Sequence, residues 1–284
     1  MSKYHYNNKL FDFPNKITYY MLGAYIADGC VDSIHQNRIT ISSKDEDWLI
    51  SIAKQISSNS LPRKLKNSNC FVFYINSKKI VDWFVANQCT PRKSLTIKMP
   101  IISEQYFPHF MRGLFDGDGC ITIVKERSGI THLLRINISG GSRPFFEAIK
   151  IILCKFDINS SIQTITHKQE SIMGRPTKDY NDSYRLIING KNAVKFCKYI
   201  YNNDNLHLER KYQTYLKYVE IRKCEAQTCT IREAFTDSQH ILNLLKTRTY
   251  KEVGKMFGVS QTTVIGRLKK AGLYEKSKQI RRSF

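Results

Sequence analysis

One stretch of this chain occurs twice, 90 residues apart, and that duplication constrains the fold more than any other feature. Tyr20-Met21-Leu22-Gly23-Ala24-Tyr25-Ile26-Ala27-Asp28-Gly29-Cys30 aligns with Phe110-Met111-Arg112-Gly113-Leu114-Phe115-Asp116-Gly117-Asp118-Gly119-Cys120, Gly on Gly and Asp-Gly-Cys on Asp-Gly-Cys. The segments downstream of each copy repeat too. After the first, alternation at 38–43 and 71–76 predicts strands, with helical spacing over 45–57 between them and over 79–86 beyond. After the second, strands are expected at 121–126, 133–139, 162–167 and 184–189, and helices at 143–156 and 192–201. Each half reads helix, two strands, helix, two strands, helix, a duplicated α+β unit. Beyond about residue 206 the pattern turns wholly helical: 208–222, a polar stretch at 223–236 read as a linker, then helices at 238–246, 250–257 and 261–270. The expected organisation is a first half at 1–100, a second at 101–222, the linker at 223–236 and a small all-α module at 237–284.

Each motif reads as a helix with a stripe of small residues and a carboxylate at its end. Gly23 and Ala27 lie four apart on one face, as do Gly113 and Gly117, and such a stripe lets two helices meet backbone to backbone. Gly29 and Gly119 are expected to stop the helices in the left-handed conformation, which leaves Asp28 and Asp118 at the ends. A carboxylate there is repelled by the helix macrodipole, and packing the two helices together adds repulsion between the two charges. A hard divalent cation removes that penalty, and Mg²⁺ (or Mn²⁺) beside a phosphodiester activates water and stabilises the leaving oxygen. A lone Asp-Gly is most often a turn; two in one frame, each after a small-residue stripe, point to a site.

The charge indicates what such a site would act on. With 45 Lys+Arg against 24 Asp+Glu the net charge is +21, on a chain that is 42% hydrophobic and so able to pack. A surplus of this size calls for a polyanion, with nucleic acid the leading candidate. The eight cysteines (Cys30, Cys70, Cys89, Cys120, Cys154, Cys197, Cys224 and Cys229) are scattered without a Cys-x-x-Cys, a usage that suits reduced thiols in a cytoplasm or organelle matrix. Cys224 and Cys229 with His240 lack zinc-ligand spacing. Residues 1–16 hold no apolar core of the kind a signal peptide needs, and no apolar run approaches the roughly 20 residues of a membrane span, so no membrane partner is expected.

The two motifs resemble those of the LAGLIDADG homing endonucleases in their single-chain, two-motif form, over roughly residues 19–222. The second copy, Arg112-Gly113-Leu114-Phe115-Asp116-Gly117-Asp118-Gly119, is the nearer match; in the first, Ile26 stands at the inner Asp and Tyr25 replaces an aliphatic residue. Thr90-Pro91-Arg92-Lys93-Ser94 and Leu208-Glu209-Arg210-Lys211-Tyr212 resemble the family's connectors. The resemblance implies a monomeric pseudo-twofold αββαββα fold whose motif helices form the interface between halves and whose two sheets bind double-stranded DNA. It implies metal-dependent cleavage of both strands to leave short 3′ overhangs, with Asp28 and Asp118 as catalytic metal ligands. The family's basic residue at the end of the second strand corresponds to Lys44. The second half has no lysine at the equivalent place, Ile138-Ser139-Gly140-Gly141-Ser142-Arg143, and Arg143 or Lys93 is offered as its substitute.

On the strands, Arg38, Thr40 and Ser42 alternate with Ile39 and Ile41, and Arg135, Asn137 and Ser139 with Leu134, Ile136 and Ile138. Alternation buries the aliphatic face and presents the polar one to DNA. The tail over 250–268 has the pattern of a helix-turn-helix: Val253 and Phe257 as an apolar stripe, Gly258 at the turn, Val259 as a plug and Ser260 as N-cap. Gln261, Thr262, Thr263 and Arg267 would face the bases. From Asp237 onward 11 Lys+Arg stand against 3 Asp+Glu, a net of +8, which favours DNA over a protein-docking role. Rival readings are a non-catalytic DNA-binding regulator, which need not keep both Asp28 and Asp118, and an RNA-splicing maturase. Met1 at the start, and an end at Phe284 without a His-Asn pair, argue against a splicing-competent intein.

Overall fold

A computed structural model describes residues 4–32, 37–126, 131–166, 182–202 and 206–282, with the side chains of 227–233 and 282 outside the description. The chain divides into two compact units, Met1–Tyr218 and Val219–Phe284.

In the first unit α1 (Lys16–Asp28) leads into β1 (Gly29–Val31), β2 (Arg38–Ser43), α2 (Glu46–Ile56), β3 (Arg63–Lys64), β4 (Phe71–Asn76) and α3 (Lys78–Ala86). The second half repeats the series as α4 (Phe107–Asp118), β5 (Gly119–Lys125), β6 (His132–Gly140), α5 (Arg143–Lys155), β7 (Ser161–Ile165), β8 (Ser183–Asn189) and α6 (Lys191–Ile200). Both sheets are antiparallel, ordered β1-β2-β4-β3 and β5-β6-β8-β7. The mixed α and β content and the duplicated sheet order agree with the fold class expected from the repeat. His167, the expected end of one strand, and the side chain of Cys229 lie outside the described residues.

Local chemistry sets the element starts. Asn15 caps α1 by accepting from the amides of Ile17 and Thr18 at 3.0 Å, and Ser77 and Ser142 cap α3 and α5. α2 buries Trp48, Leu49, Ile52, Ala53 and Ile56 along one face, while Ile39 and Ile41 of β2 and Leu134, Ile136 and Ile138 of β6 supply the covered faces of the sheets. α1 differs: every residue from Thr18 to Ile26 is buried, because this helix packs along α4 as well as beneath its own sheet.

Two expectations are corrected. Gly29 and Gly119 are extended, at φ −92° and −82°, rather than left-handed. Their lack of a side chain matters for space instead, since a Cβ would fall 2.5 Å from the Tyr25 carbonyl oxygen and 2.2 Å from the Phe115 ring. The 223–236 stretch is helical: α7 runs Glu209–Thr236 without a break. It contains neither Gly nor Pro, and its Glu, Arg, Lys, Ala and Gln content favours a helix although no apolar periodicity reveals one.

The second unit holds α8 (Ser238–Leu244), α9 (Tyr250–Phe257), α10 (Gln261–Lys270) and an unexpected fourth helix, α11 (Tyr274–Arg282). Its core is Ile241, Leu245, Val253, Val264 and Leu268. Gly258 takes φ +66° between α9 and α10, and a Cβ at Gly254 would meet the Val259 carbonyl at 2.6 Å, so the turn is closed against the first of its two helices. Among the described residues no helix is long and apolar enough to cross a membrane.

Candidate active site and nucleic-acid interface

The site begins with the seam between α1 and α4. A Cβ at Gly23 would stand 2.1 Å from the Phe110 carbonyl oxygen, and one at Gly117 would stand 2.3 Å from the Ala27 Cβ and 3.2 Å from an Asp28 carboxylate oxygen. Backbone contact along the seam therefore carries the two helix ends, and Asp28 with Asp118, to one place. Both side chains reach solvent, so their desolvation is partial. Even so, partial burial raises the Asp28 carboxyl above its ordinary range, and burial together with the charge of Asp28 pushes Asp118 up to about 7.

Two lysines act on both carboxylates in the opposite sense, Lys211 and Lys93. Lys93 is buried and donates to the Gly29 carbonyl at the end of α1. Lys211 is buried as well, and its Nζ donates to the carbonyls of Phe115 and Asp116 at 2.7 Å and of Gly117 at 3.3 Å. Each lysine thus satisfies carbonyls at a motif helix C-terminus, where a cation also opposes the macrodipole that disfavours the neighbouring aspartate. Burial lowers the Lys211 ammonium to about 8 despite the three aspartates around it. A cleft of about 360 Å³ opens beside Asp118 and Lys93, bounded by Ser139, Gly141 and Ser142.

Lys44 is exposed at the rim of a cleft lined also by Asp45 and Arg210, whose Nε donates to Asp45 at 3.0 Å, and the charges of both Arg210 and Asp45 act on Asp28. Arg143 is paired with Glu147 at 2.8 Å. Lys211 was not singled out from the sequence, yet a signal exists. Arg92-Lys93 and Arg210-Lys211 are the same dipeptide, one after each half's α+β series. Among the described residues no three His, Cys, Asp or Glu side chains gather into a protein-only metal cage. Two carboxylates that leave room for water and phosphate oxygens are the donor set Mg²⁺ or Mn²⁺ accepts.

The strand residues alternate as expected. Arg135, Asn137 and Ser139 are exposed or half-buried opposite buried Leu134, Ile136 and Ile138, and register places Thr122, Asn189, Arg185 and Gln163 on their face. On the first sheet Thr40 is half-buried and Ser42 exposed, while the Arg38 Nε donates to Asn76 at 2.9 Å and its guanidinium lies 5.5 Å from the Tyr74 ring centre. Arg63 similarly lies over Tyr4 at 5.7 Å, and these side chains line one shallow cleft. In the second unit Gln261, Thr262 and Thr263 are exposed at the start of α10, with the two threonine hydroxyls 2.5 and 2.9 Å from the Ser260 hydroxyl. Arg267 turns away from that end to donate to the Thr236 carbonyl.

A duplicated motif helix ending in Asp-Gly, followed each time by a four-stranded antiparallel sheet, defines the class: this is a duplicated α+β protein whose two halves share one topology. The family described as LAGLIDADG-like domain matches residues 109–201. Among curated proteins the chain is 26% identical over 203 residues to the probable translation initiation factor IF-2 of Methanocaldococcus jannaschii, covering 68% of this chain and 16% of that protein. It is 25% identical over 214 residues to the glutamine–fructose-6-phosphate aminotransferase of the same organism, covering 69% and 17%. The chain therefore spans about a sixth of the length of these relatives, and the likeness is to a segment of each. Among solved structures, an I-DmoI variant in complex with its target DNA is 18% identical at a TM-score of 0.44, covering 66% of this chain and 96% of that one. The I-SmaMI LAGLIDADG homing endonuclease bound to cleaved DNA is 12% identical at 0.45, covering 78% and 92%.

Proposed function

We propose that this protein is a site-specific DNA endonuclease that hydrolyses one phosphodiester on each strand with a divalent cation and leaves short 3′ overhangs. The observation that carries the reading is the cluster at the α1–α4 seam, where two carboxylates from the two halves share two buried lysines. Asp28 and Asp118 would hold Mg²⁺ or Mn²⁺, which when bound lowers the pKa of water and shields the leaving oxygen. Lys93 and Lys211 supply fixed positive charge where negative charge accumulates on the phosphate. Water oxygen bonds to phosphorus, the P–O3′ bond breaks, and the proton released by water passes to O3′. The polar sheet faces would supply base contacts through Arg38, Arg135 and Asn137, and the second unit, acting as a helix-turn-helix through α9 and α10, would extend the site through Gln261 and Thr262.

The test is a supercoiled plasmid carrying the joined flanking sequences of the gene, incubated with the full chain and Mg²⁺ or Mn²⁺. Linear product that disappears with EDTA and with Asp118→Asn supports the reading. Tight binding without cleavage in either metal points to the regulator, and splicing of precursor RNA in place of cleavage to the maturase.

A further inference from the structure

The two motif helices perform the same packing task with different residues. Where α1 has Leu22 and Ile26, α4 has Arg112 and Asp116, and all four are buried. Helix packing does not require that polarity, because the first half manages without it, and buried charged groups are weak contributors to stability. The polar pair does something particular. The Asp116 Oδ2 accepts from the Tyr20 hydroxyl at 2.7 Å and from the Leu208 amide at 3.0 Å. The Tyr20 hydroxyl in turn accepts from the Trp48 Nε1 at 2.6 Å, which leaves its own proton directed at Asp116. Arg112 donates to the carbonyls of Ile200 at 2.7 Å and Leu206 at 2.8 Å. These bonds tie the segment leading into α7 to α4 from one side, and three residues beyond Leu208 the Lys211 ammonium returns to the Phe115 and Asp116 carbonyls from the other. In the first half Ile26 can form no such tie.

We propose that Asp116, oriented by Tyr20 and Trp48 of the opposite half, is a positioning residue that seats Lys211 against the carboxylate pair. Lys93 lies on a separate segment, tied through Ile97 to the Ser142 hydroxyl, and none of these bonds reaches it. The inference rests on the endonuclease reading for its consequence in catalysis, while the seating itself can be measured without DNA. Removing the tie loosens one lysine and not the other, so the two strands become unequal: the strand served by Lys211 slows and its complement does not.

The test is competitive acetylation of the full-length protein with acetic anhydride, reading Lys211 against Lys93 by peptide mass spectrometry. Asp116→Ile, which copies the first half's own residue, and Tyr20→Phe should each raise the Lys211-to-Lys93 labelling ratio, by about five-fold or more for Asp116→Ile. Asp116→Asn, which can still accept from Leu208, should restore most of it. An unchanged ratio in both Asp116→Ile and Tyr20→Phe overturns the proposal; should Asp116→Ile fail to fold, Tyr20→Phe alone decides. On plasmid cleaved by the wild type, Asp116→Ile should accumulate nicked circles, with one end-labelled strand cut about ten-fold more slowly. Equal slowing of both strands overturns the proposal. Absence of cleavage by the wild type sinks the endonuclease reading and leaves the labelling result standing.

Discussion

A β-carbon on Gly113 would stand 1.9 Å from the carbonyl oxygen of Tyr20. That neighbour is backbone and cannot swing aside, so the smallest side chain already forces α1 and α4 apart. Gly113→Ala should destabilise the protein by more than the about 1–3 kcal/mol of ordinary overpacking, and Gly113→Leu should prevent folding. Chemical denaturation of Gly113→Ala and Gly23→Ala checks this, and unaltered midpoints would mean that the helices do not meet there.

Asp28→Asn and Asp118→Asn should each reduce double-strand cleavage by at least about 100-fold, since direct metal ligands matter more than the groups behind them. DNA affinity in Ca²⁺ should fall far less. Gel-shift and cleavage assays run side by side decide; full activity of either variant in Mg²⁺ would end the assignment.

Metal affinity should depend on pH through Asp118. Its carboxyl titrates near 7 in the metal-free protein, raised by burial and by Asp28. Below that pH it holds a proton that the cation must displace, so binding weakens as pH falls from 8 to 6. At most one proton per site is released from this group, and fewer at pH 8 than at pH 6. Calorimetric titration with Mn²⁺ in buffers of differing ionisation heat measures the release, and an affinity flat across this range would contradict it.

Deleting the chain from Asp237 should shorten the DNase footprint at one end and leave the chemistry in place, because both carboxylates and both buried lysines lie in the first unit. Each lost phosphate contact should reduce the slope of log K against log salt by about 0.9. Within the second unit two substitutions test different roles: on the proposed DNA-reading role, Gln261→Ala should relax base discrimination by about 1–3 kcal/mol at one position. Arg267→Ala should instead lower the unit's melting temperature, since its guanidinium is committed to the Thr236 carbonyl. An identical footprint and salt slope after deletion would assign the unit to protein docking.

The sequence by itself determined the duplication, the sheet strands and the helix pairing, because those depend on short-range period and on residue size. Alternation from Arg38 to Ser43 and from Leu134 to Ser139 can only be a half-covered strand, and Gly23 with Ala27 can only be a close-approach stripe. Helix continuity through 223–236 is hidden at that level, since a helix exposed on most sides has no apolar period to detect. Gly29 and Gly119 were legible as glycines, but the reason for them, space against Tyr25 and Phe115 rather than a left-handed turn, depends on side chains folded back upon them. Of the two buried basic groups, Lys93 was already a candidate in the sequence, and Lys211 was decided by tertiary structure alone. Lys211 is 93 residues from Asp118, and only the return of α7 to the end of α4 sets its ammonium on the Phe115 and Asp116 carbonyls. Lys44, nearer to Asp28 in sequence, faces solvent at the rim of the cleft lined by Asp45 and Arg210. Sequence spacing reports which face of an element a residue occupies; which elements meet across a core is settled by packing, and the charges gathered at this seam follow from that.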